Sequence, residues 1–421
     1  MKSLLFCFLC TCSFLAVHLA VPEEVIPQPL RLSLQGAINL ALERNPEVLA
    51  AARQVDAARG RSRQAWWPED PQFSVEYEGI PRGKGLARYE ERFVRLSQTF
   101  DFPTNILLKK RIAEKEVDVT RMDSELVKRD LLHRVKLTYY DLLTQWERVN
   151  LARQNLQLAD DFSQKAQIRY QFGEGTHLEY VKAKVEKARA ENDMTLAQNE
   201  HAVALAELNL LLARDSRADI IPTDSMSYVP LEKSVNELRE EALRVHPRLR
   251  AMDGKVEAAR TGHTLAWSSF LPALSASYFN QNIDGNPDFW GLELGISVPL
   301  WFPFRQRGRI QEATAELAQA RFERENVRNE LAFQIESAWQ KATTAEKMVL
   351  LYREELLAEA NEVYRIARRS YEEGAGGYLD LLEAQRTLVG TRSGYVESLF
   401  SYNIAIATLE KAMGIQSVLS P

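Results

Sequence analysis

The sequence predicts a mainly α-helical fold with a small β part, built around two copies of a long coiled-coil helical hairpin. Three observations carry that prediction. First, residues 170–183 and 371–384 match at a constant offset of 201 residues: Tyr170 meets Tyr371, Gly173 meets Gly374, Gly175 meets Gly376 and Ala183 meets Ala384. Second, an apolar seam at alternating steps of three and four leads up to each of these stretches. Third, each seam is preceded by a short segment in which apolar and polar residues alternate with a period of two.

Composition narrows the class. The chain has 421 residues, 45% of them hydrophobic, and a net charge of −5. It has the apolar content to fold, and its acidic balance gives no support to a nucleic-acid role. All the cysteines, Cys7, Cys10 and Cys12, lie at the start. There Lys2 precedes an apolar run from Leu4 to Leu19, and Ala20 precedes Val-Pro-Glu-Glu. Residues 1–20 therefore read as a secretory leader cleaved after Ala20. Lipidation at Cys12 and retention as a membrane anchor are the alternatives. Without the leader no disulfide or thiolate metal site is available. No later apolar run is long enough for a membrane helix, so a membrane crossing would have to use strands.

The first repeat is expected over residues 21–213. Helices fill 33–66, with Ser33 as N-cap and Pro46 dividing them. A strand hairpin spans 72–101: Phe73, Val75 and Tyr77 alternate with Ser74, Glu76 and Glu78, and Val94, Leu96, Gln98 and Phe100 follow the loop 79–85. Strands of about ten residues, apolar on one face, suit an outer-membrane barrel. A soluble amphipathic hairpin has the same pattern. A long helical hairpin is expected over 105–213, with its tip near 173–176. Leu132, Val135, Tyr139, Leu142, Trp146 and Val149 mark its seam. A helix of about 65 residues is a rod of roughly 100 Å.

A polar linker, 214–230, separates the second repeat, 231–414. The same elements recur there: helices over 233–268, a strand hairpin over 273–301, and a long helical hairpin over 306–413 with its tip near 374–377. Pro247, Val256-Glu257-Ala258-Ala259-Arg260, Trp267 and Tyr278 hold the offset of 201 from Pro46, Val55-Asp56-Ala57-Ala58-Arg59, Trp66 and Tyr77. The seam residues Ala332, Ile335, Trp339, Ala342 and Val349 sit instead at an offset of 200. An offset of 201 shared by Pro46, Tyr77 and the glycine tips is a duplication. Residues 415–421 are a short tail.

Four strands cannot close a barrel, which takes at least about eight. If they lie in lipid, several protomers must pool them. The doubled order of helix, strand hairpin and glycine-tipped coiled-coil hairpin resembles the TolC-like outer-membrane efflux family. Asn45-Pro46-Glu47, Val55-to-Arg59, Tyr170-to-Ala183 and Tyr371-to-Gln385 carry the likeness, and its length and Asn-Pro-Glu opening are most similar to the cation-efflux, Czc-type branch. The resemblance implies a homotrimer in which three sets of four strands form a trimeric 12-stranded membrane β-barrel. Helical hairpins then continue it as an α-barrel through the periplasm. It implies a passive duct in the outer membrane of a Gram-negative bacterium, working with a periplasmic adaptor (membrane fusion protein) and an inner-membrane pump of the RND type. The cargo would be metal cations or small toxic compounds. A duct for type I protein secretion and a soluble periplasmic adaptor or scaffold are the competing readings.

Carried onto this chain, the adaptor-docking tips are Gly173, Gly175, Thr176, Gly374, Gly376 and Gly377. The acidic ring at the pore entrance falls on Asp380 and Glu383, three apart and so on one helix face. The alternative for this pair is a helix start favouring acids through its dipole. The first tip has Glu179 and Lys182 instead, which cancel. His133, His177, His201, His246 and His263 show no metal-ligand spacing. No phosphate loop, Gly-x-Ser-x-Gly or His-Glu-x-x-His is present. No enzyme activity, cofactor or metal is expected.

Overall fold

The computed structural model describes residues 30–83, 85–86, 88–283, 286, 289–298 and 304–418. The leader with its three cysteines lies outside these residues, as do residues 299–301 at the end of the second expected strand hairpin. The first half runs β1 (Leu30–Leu32), α1 (Leu34–Arg44), α2 (Pro46–Gln64), β2 (Gln72–Glu78), β3 (Glu91–Phe100), α3 (Pro103–Gln171) and α4 (His177–Leu211). The second runs β4 (Ile220–Pro222), α5 (Val235–Val245), α6 (Pro247–Trp267), β5 (Ala273–Ile283), β6 (Phe289–Ser297), α7 (Arg305–Leu351), α8 (Leu357–Glu372) and α9 (Tyr378–Met413). Ser33 caps α1 as expected, its hydroxyl accepting the Gly36 N–H at 3.1 Å. Among the described residues no helix is long and apolar enough to cross a membrane.

The two strand hairpins join into one antiparallel sheet in the order β2-β3-β5-β6. Its register sorts the faces. Phe73 lies opposite Leu96, Leu96 opposite Tyr278, and Tyr278 opposite Leu292. The adjacent row is Gln72, Ser97, Ser277 and Glu293. One face is therefore apolar across all four strands, and Trp290 and Leu294 on it are 72% and 76% exposed. β2 has seven residues, shorter than expected. β2 and β6 are edges with no further strand partner among the described residues.

α3 has 69 residues, about 100 Å of helix. Its return helix α4 presents Ala183, Ala190, Ala197 and Ala204, all buried and seven residues apart. A heptad of alanines lets two helix axes approach closely. Val135, Tyr139 and Leu142 of the expected seam are fully buried against α1 and the end of α4. Trp146 departs from it at 46% exposure, because by then α1 and β1 no longer cover that face. In the second half, Ile335 and Ala338 pack with Leu238 of α5 and with Leu409 and Met413 of α9.

The expected unbroken helix over 306–371 is interrupted. A π turn, Tyr352–Leu356, separates α7 from α8. It lies between Val349, at offset 200 from Val149, and Tyr371, at offset 201 from Tyr170. The extra residue of the second copy is taken up there, since a π turn adds one residue without ending the helix.

Residues 214–230 are more than a linker. β4 within them pairs in parallel with β1, Leu30 opposite Ile220, and the Tyr402 hydroxyl donates to the Val229 carbonyl at 2.5 Å. The tail is also held. Lys136 and Glu410 pair at 2.6 Å in the interior, Lys136 donates to the Gln416 carbonyl, and Glu410 accepts the Val418 N–H.

Each return helix ends against the start of another helix. Asn45 caps α2 by accepting the Glu47 N–H at 2.9 Å and donates to the Leu211 carbonyl of α4 at 3.0 Å. His246, 201 residues on, caps α6 by accepting the Arg248 N–H at 3.1 Å. Its ring lies against Gly414, the left-handed cap of α9 with φ 66°. The counterpart of Gly414 is Ala213, with φ 51°. A left-handed alanine costs about 1 kcal/mol. Ala213→Gly should therefore slow hydrogen exchange at the end of α4, and unchanged exchange there would show that no strain is stored.

Burial, then Arg248 and Arg129, push His246 down to about 4. Its ordinary value is about 6.5, so as pH falls the unfolded chain takes up this proton first. The stability tied to the neutral ring is whole above about pH 6.5 and is lost as pH falls toward 4. His246→Asn, copying Asn45, should cut the loss of stability between pH 7 and pH 4.5 by up to about 3 kcal/mol, read from denaturation midpoints. An equal loss in both proteins would contradict this.

Candidate functional site

The two hairpin tips have the same backbone. Gly173 and Gly374 both have φ 76°. In the first tip the N–H groups of Glu174 and Gly175 donate to the Arg169 carbonyl at 2.9 and 3.1 Å; in the second, those of Ala375 and Gly376 donate to the Ser370 carbonyl at 2.9 Å. This 6→1 closure satisfies the last carbonyls of the long helix and requires a left-handed residue. Thr176 then caps α4, its hydroxyl accepting the Glu179 N–H at 3.2 Å. Gly377 is its equivalent at α9, where Asp380 reaches back to accept the Gly377 N–H at 3.3 Å.

The glycines differ in what confines them. A Cβ on Gly376 would sit 2.9 Å from the Ser370 Cβ and 3.3 Å from its carbonyl carbon, so the turn itself excludes a side chain. A Cβ on Gly377 would meet only the Asp380 Oδ2, at 3.3 Å. Gly173, Thr176, Gly374 and Gly377 are exposed, and Gly175 and Gly376 are half-buried.

Asp380 and Glu383 are both exposed near the start of α9. The bond from Gly377 gives Asp380 a capping role. Glu383 has no such bond.

Sequence reasoning missed the aromatic contacts behind the tips. Phe162 of α3 stacks on Tyr378 at 5.0 Å and tilts against Tyr371 at 5.6 Å, tying the second tip to the first long helix. Tyr170 stacks on Tyr180 within the first tip at 5.9 Å. Arg386 of α9 pairs with Glu186 of α4. The aromatic residues at 371 and 378 were visible in the sequence. Their partner Phe162 was not, because no local spacing connects it to them.

The histidines have structural roles or no metal-like neighbours. His133 Nδ1 lies 3.1 Å from the Ala407 carbonyl, His177 packs on Tyr170, and His263 accepts from the Trp267 indole N–H at 3.3 Å. Among the described residues, no three His, Cys, Asp or Glu side chains are grouped to hold a metal.

Comparison with known proteins follows this geometry. The family model for the outer membrane efflux protein matches residues 37–214 and again 238–415, two segments that start 201 residues apart. Cobalt-zinc-cadmium resistance protein CzcC of Cupriavidus metallidurans is 23% identical over 384 residues, covering 91% of this chain and 90% of that protein. The pyoverdine export outer membrane protein OpmQ of Pseudomonas putida is 25% identical, over 90% of this chain and 85% of its own length. Among solved structures, CusC superposes with a TM-score of 0.76 at 18% identity, over 91% of this chain and 92% of its own. VceC of Vibrio cholerae gives 0.74 at 19% identity, over 90% and 96%. The reading as a soluble adaptor or scaffold falls with these matches. The chain belongs to the outer membrane efflux protein family: it is a passive outer-membrane exit duct of a tripartite efflux system, partnered by an adaptor and an inner-membrane pump, and not an enzyme.

Proposed function

We propose that three copies of this chain pool their four-stranded sheets into a twelve-stranded barrel and their helical hairpins into a periplasmic tunnel. The observation that carries this is the sheet: among the described residues it has four strands, is apolar on one face and has no strand partner at either edge. Unpaired backbone in lipid costs several kcal/mol per group, so the edges must meet strands of another copy. The tips, about 100 Å of helix away, then face the inner membrane. There Gly173, Gly175, Thr176, Gly374, Gly376 and Gly377 meet the adaptor, and an RND-type pump supplies the cargo.

Metal cations are the cargo this reading favours. Two observations support it: the exposed pair Asp380 and Glu383 beside the second tip, and the span of the match to a cobalt-zinc-cadmium resistance protein. Three copies bring six carboxylates to the narrow end of the tunnel, where crowded like charges favour bound cations.

Planar-bilayer recordings test both the duct and its ring. Wild-type protein should form cation-selective channels blocked by divalent ions from the periplasmic side. Asp380→Ala with Glu383→Ala should weaken the block and the selectivity about tenfold or less while trimers persist. Unaltered block would leave Asp380 only its cap on Gly377.

Docking is best probed at Gly377, because Gly376 is fixed by its own turn. Gly377→Trp should abolish crosslinking to the adaptor and metal resistance while leaving trimer yield unchanged. Full resistance with normal crosslinking would remove the second tip from the contact.

A further inference from the structure

Where α9 ends against α6, a cavity of about 560 Å³ opens between α3, α6, α7 and α9. Its charged lining is Arg129, Arg248, Lys341 and Lys411 against the single carboxylate Asp130. Lys411 is paired with Asp130 at 2.5 Å and Arg248 with Glu330 at 2.8 Å. Arg129 is the exception: its Nε and Nη1 are buried and have no hydrogen-bond partner. Its charged neighbour along α3, Glu125, is paired with Lys128 at 2.6 Å. Two buried guanidinium nitrogens with unmade bonds on a half-buried side chain are costly and call for an acceptor. The rest of the lining mixes apolar side chains, chiefly Leu126, Leu331 and the 72% exposed ring of Phe333, with the polar His133, His246, Gln334, Ser337 and Thr408.

Helical phase gives the side on which the cavity opens. Leu131 is buried beneath α1, and Leu409 beneath α5. Arg129 and Lys411 are each two residues from these, about 200° around their helices and so on the opposite face. Phe333 is likewise two residues from Ile335. The cavity therefore opens away from α1 and α5. In the exit-duct reading, on which this placement rests, that face lines the passage.

We propose that this cavity binds a small amphiphilic organic anion: a carboxylate, sulfonate or phosphate head on Arg129 and Lys341, and an apolar body against Phe333 and Leu331. Its volume suits a ligand of drug size, and apolar side chains beside a few convergent polar and charged groups are how such sites are built. Arg pairs with oxyanions in a planar fork, which favours these head groups over halide. The site gives the waist of the duct a chemistry opposite to that of the acidic entrance.

The test uses three probes with one ring system and different charge: 2-naphthoate, 2-naphthylmethanol and 2-naphthylmethylammonium. Each is titrated calorimetrically into the purified protein in dodecyl maltoside, against a micelle blank. 2-Naphthoate should bind, with affinity falling as salt rises, and the other two should bind at least about tenfold more weakly. Lys341→Met, at an exposed position, should weaken 2-naphthoate about tenfold, and Arg129→Met by at least as much. Equal binding of all three probes, or unchanged naphthoate affinity in both variants, would overturn the proposal. The cavity is built within one protomer, so binding is read separately from assembly. A protein that binds naphthoate but forms no channel would refute the duct reading and leave the site standing.

Discussion

Lipid offers no hydrogen bonds to a strand edge, and the rest of the architecture answers to that constraint. The chain brings only four strands, because each half contributes one hairpin and β3 pairs with β5 to join them. β3 and β5 are paired on both sides; β2 and β6 each have, among the described residues, one side without a strand partner. The proposed assembly of three copies meets that constraint and would give the long helices neighbours as well. α3 has 69 residues and α7 has 47, against 11 in each of α1 and α5, which pack on them respectively. Alanine at every seventh position of α4 lets the paired rods lie close, which keeps a wall of such hairpins thin.

The junctions between stacked helices show how two copies of one design diverge under a fixed geometry. Each return helix must end where another begins, and each end needs an acceptor for free N–H groups and a left-handed residue to stop the helix. The first half uses Asn45 and Ala213; the second uses His246 and Gly414. The histidine is bulkier, and its ring sits where a Cβ on residue 414 would intrude, 2.8 Å from that atom. Glycine there meets both demands at once. Asparagine leaves room, so the first half can keep an alanine at the price of a strained backbone.

Much of this was legible in the sequence because it is written locally. Pro46, Pro247 and the glycine tips punctuate the helices, and period-two alternation marks the hairpins. The cap at Ser33 follows from side-chain chemistry alone, while Thr176, read only as a docking residue, turns out to cap α4 in the same way. What escaped is non-local. β1 and β4 are three residues each and find each other across 190 positions. Phe162 gains its meaning from Tyr378 on another hairpin. The basic cavity draws on four helices, and none of its lining residues belongs to a stretch that the sequence singles out as a motif, His246 apart. Trp146 has seam spacing, yet the cover on its face has ended, and spacing does not report where a neighbouring element stops.

The π turn at Tyr352–Leu356 also orders events in the history of the gene. A residue gained or lost before the duplication would be carried by both halves. The long helix of the first half runs unbroken through the equivalent stretch, and the offset between the halves changes from 200 to 201 across the turn. The one-residue difference was therefore fixed after the two copies became separate lineages. The bulge absorbs that difference within the helix, and the second tip closes with the same bonds as the first.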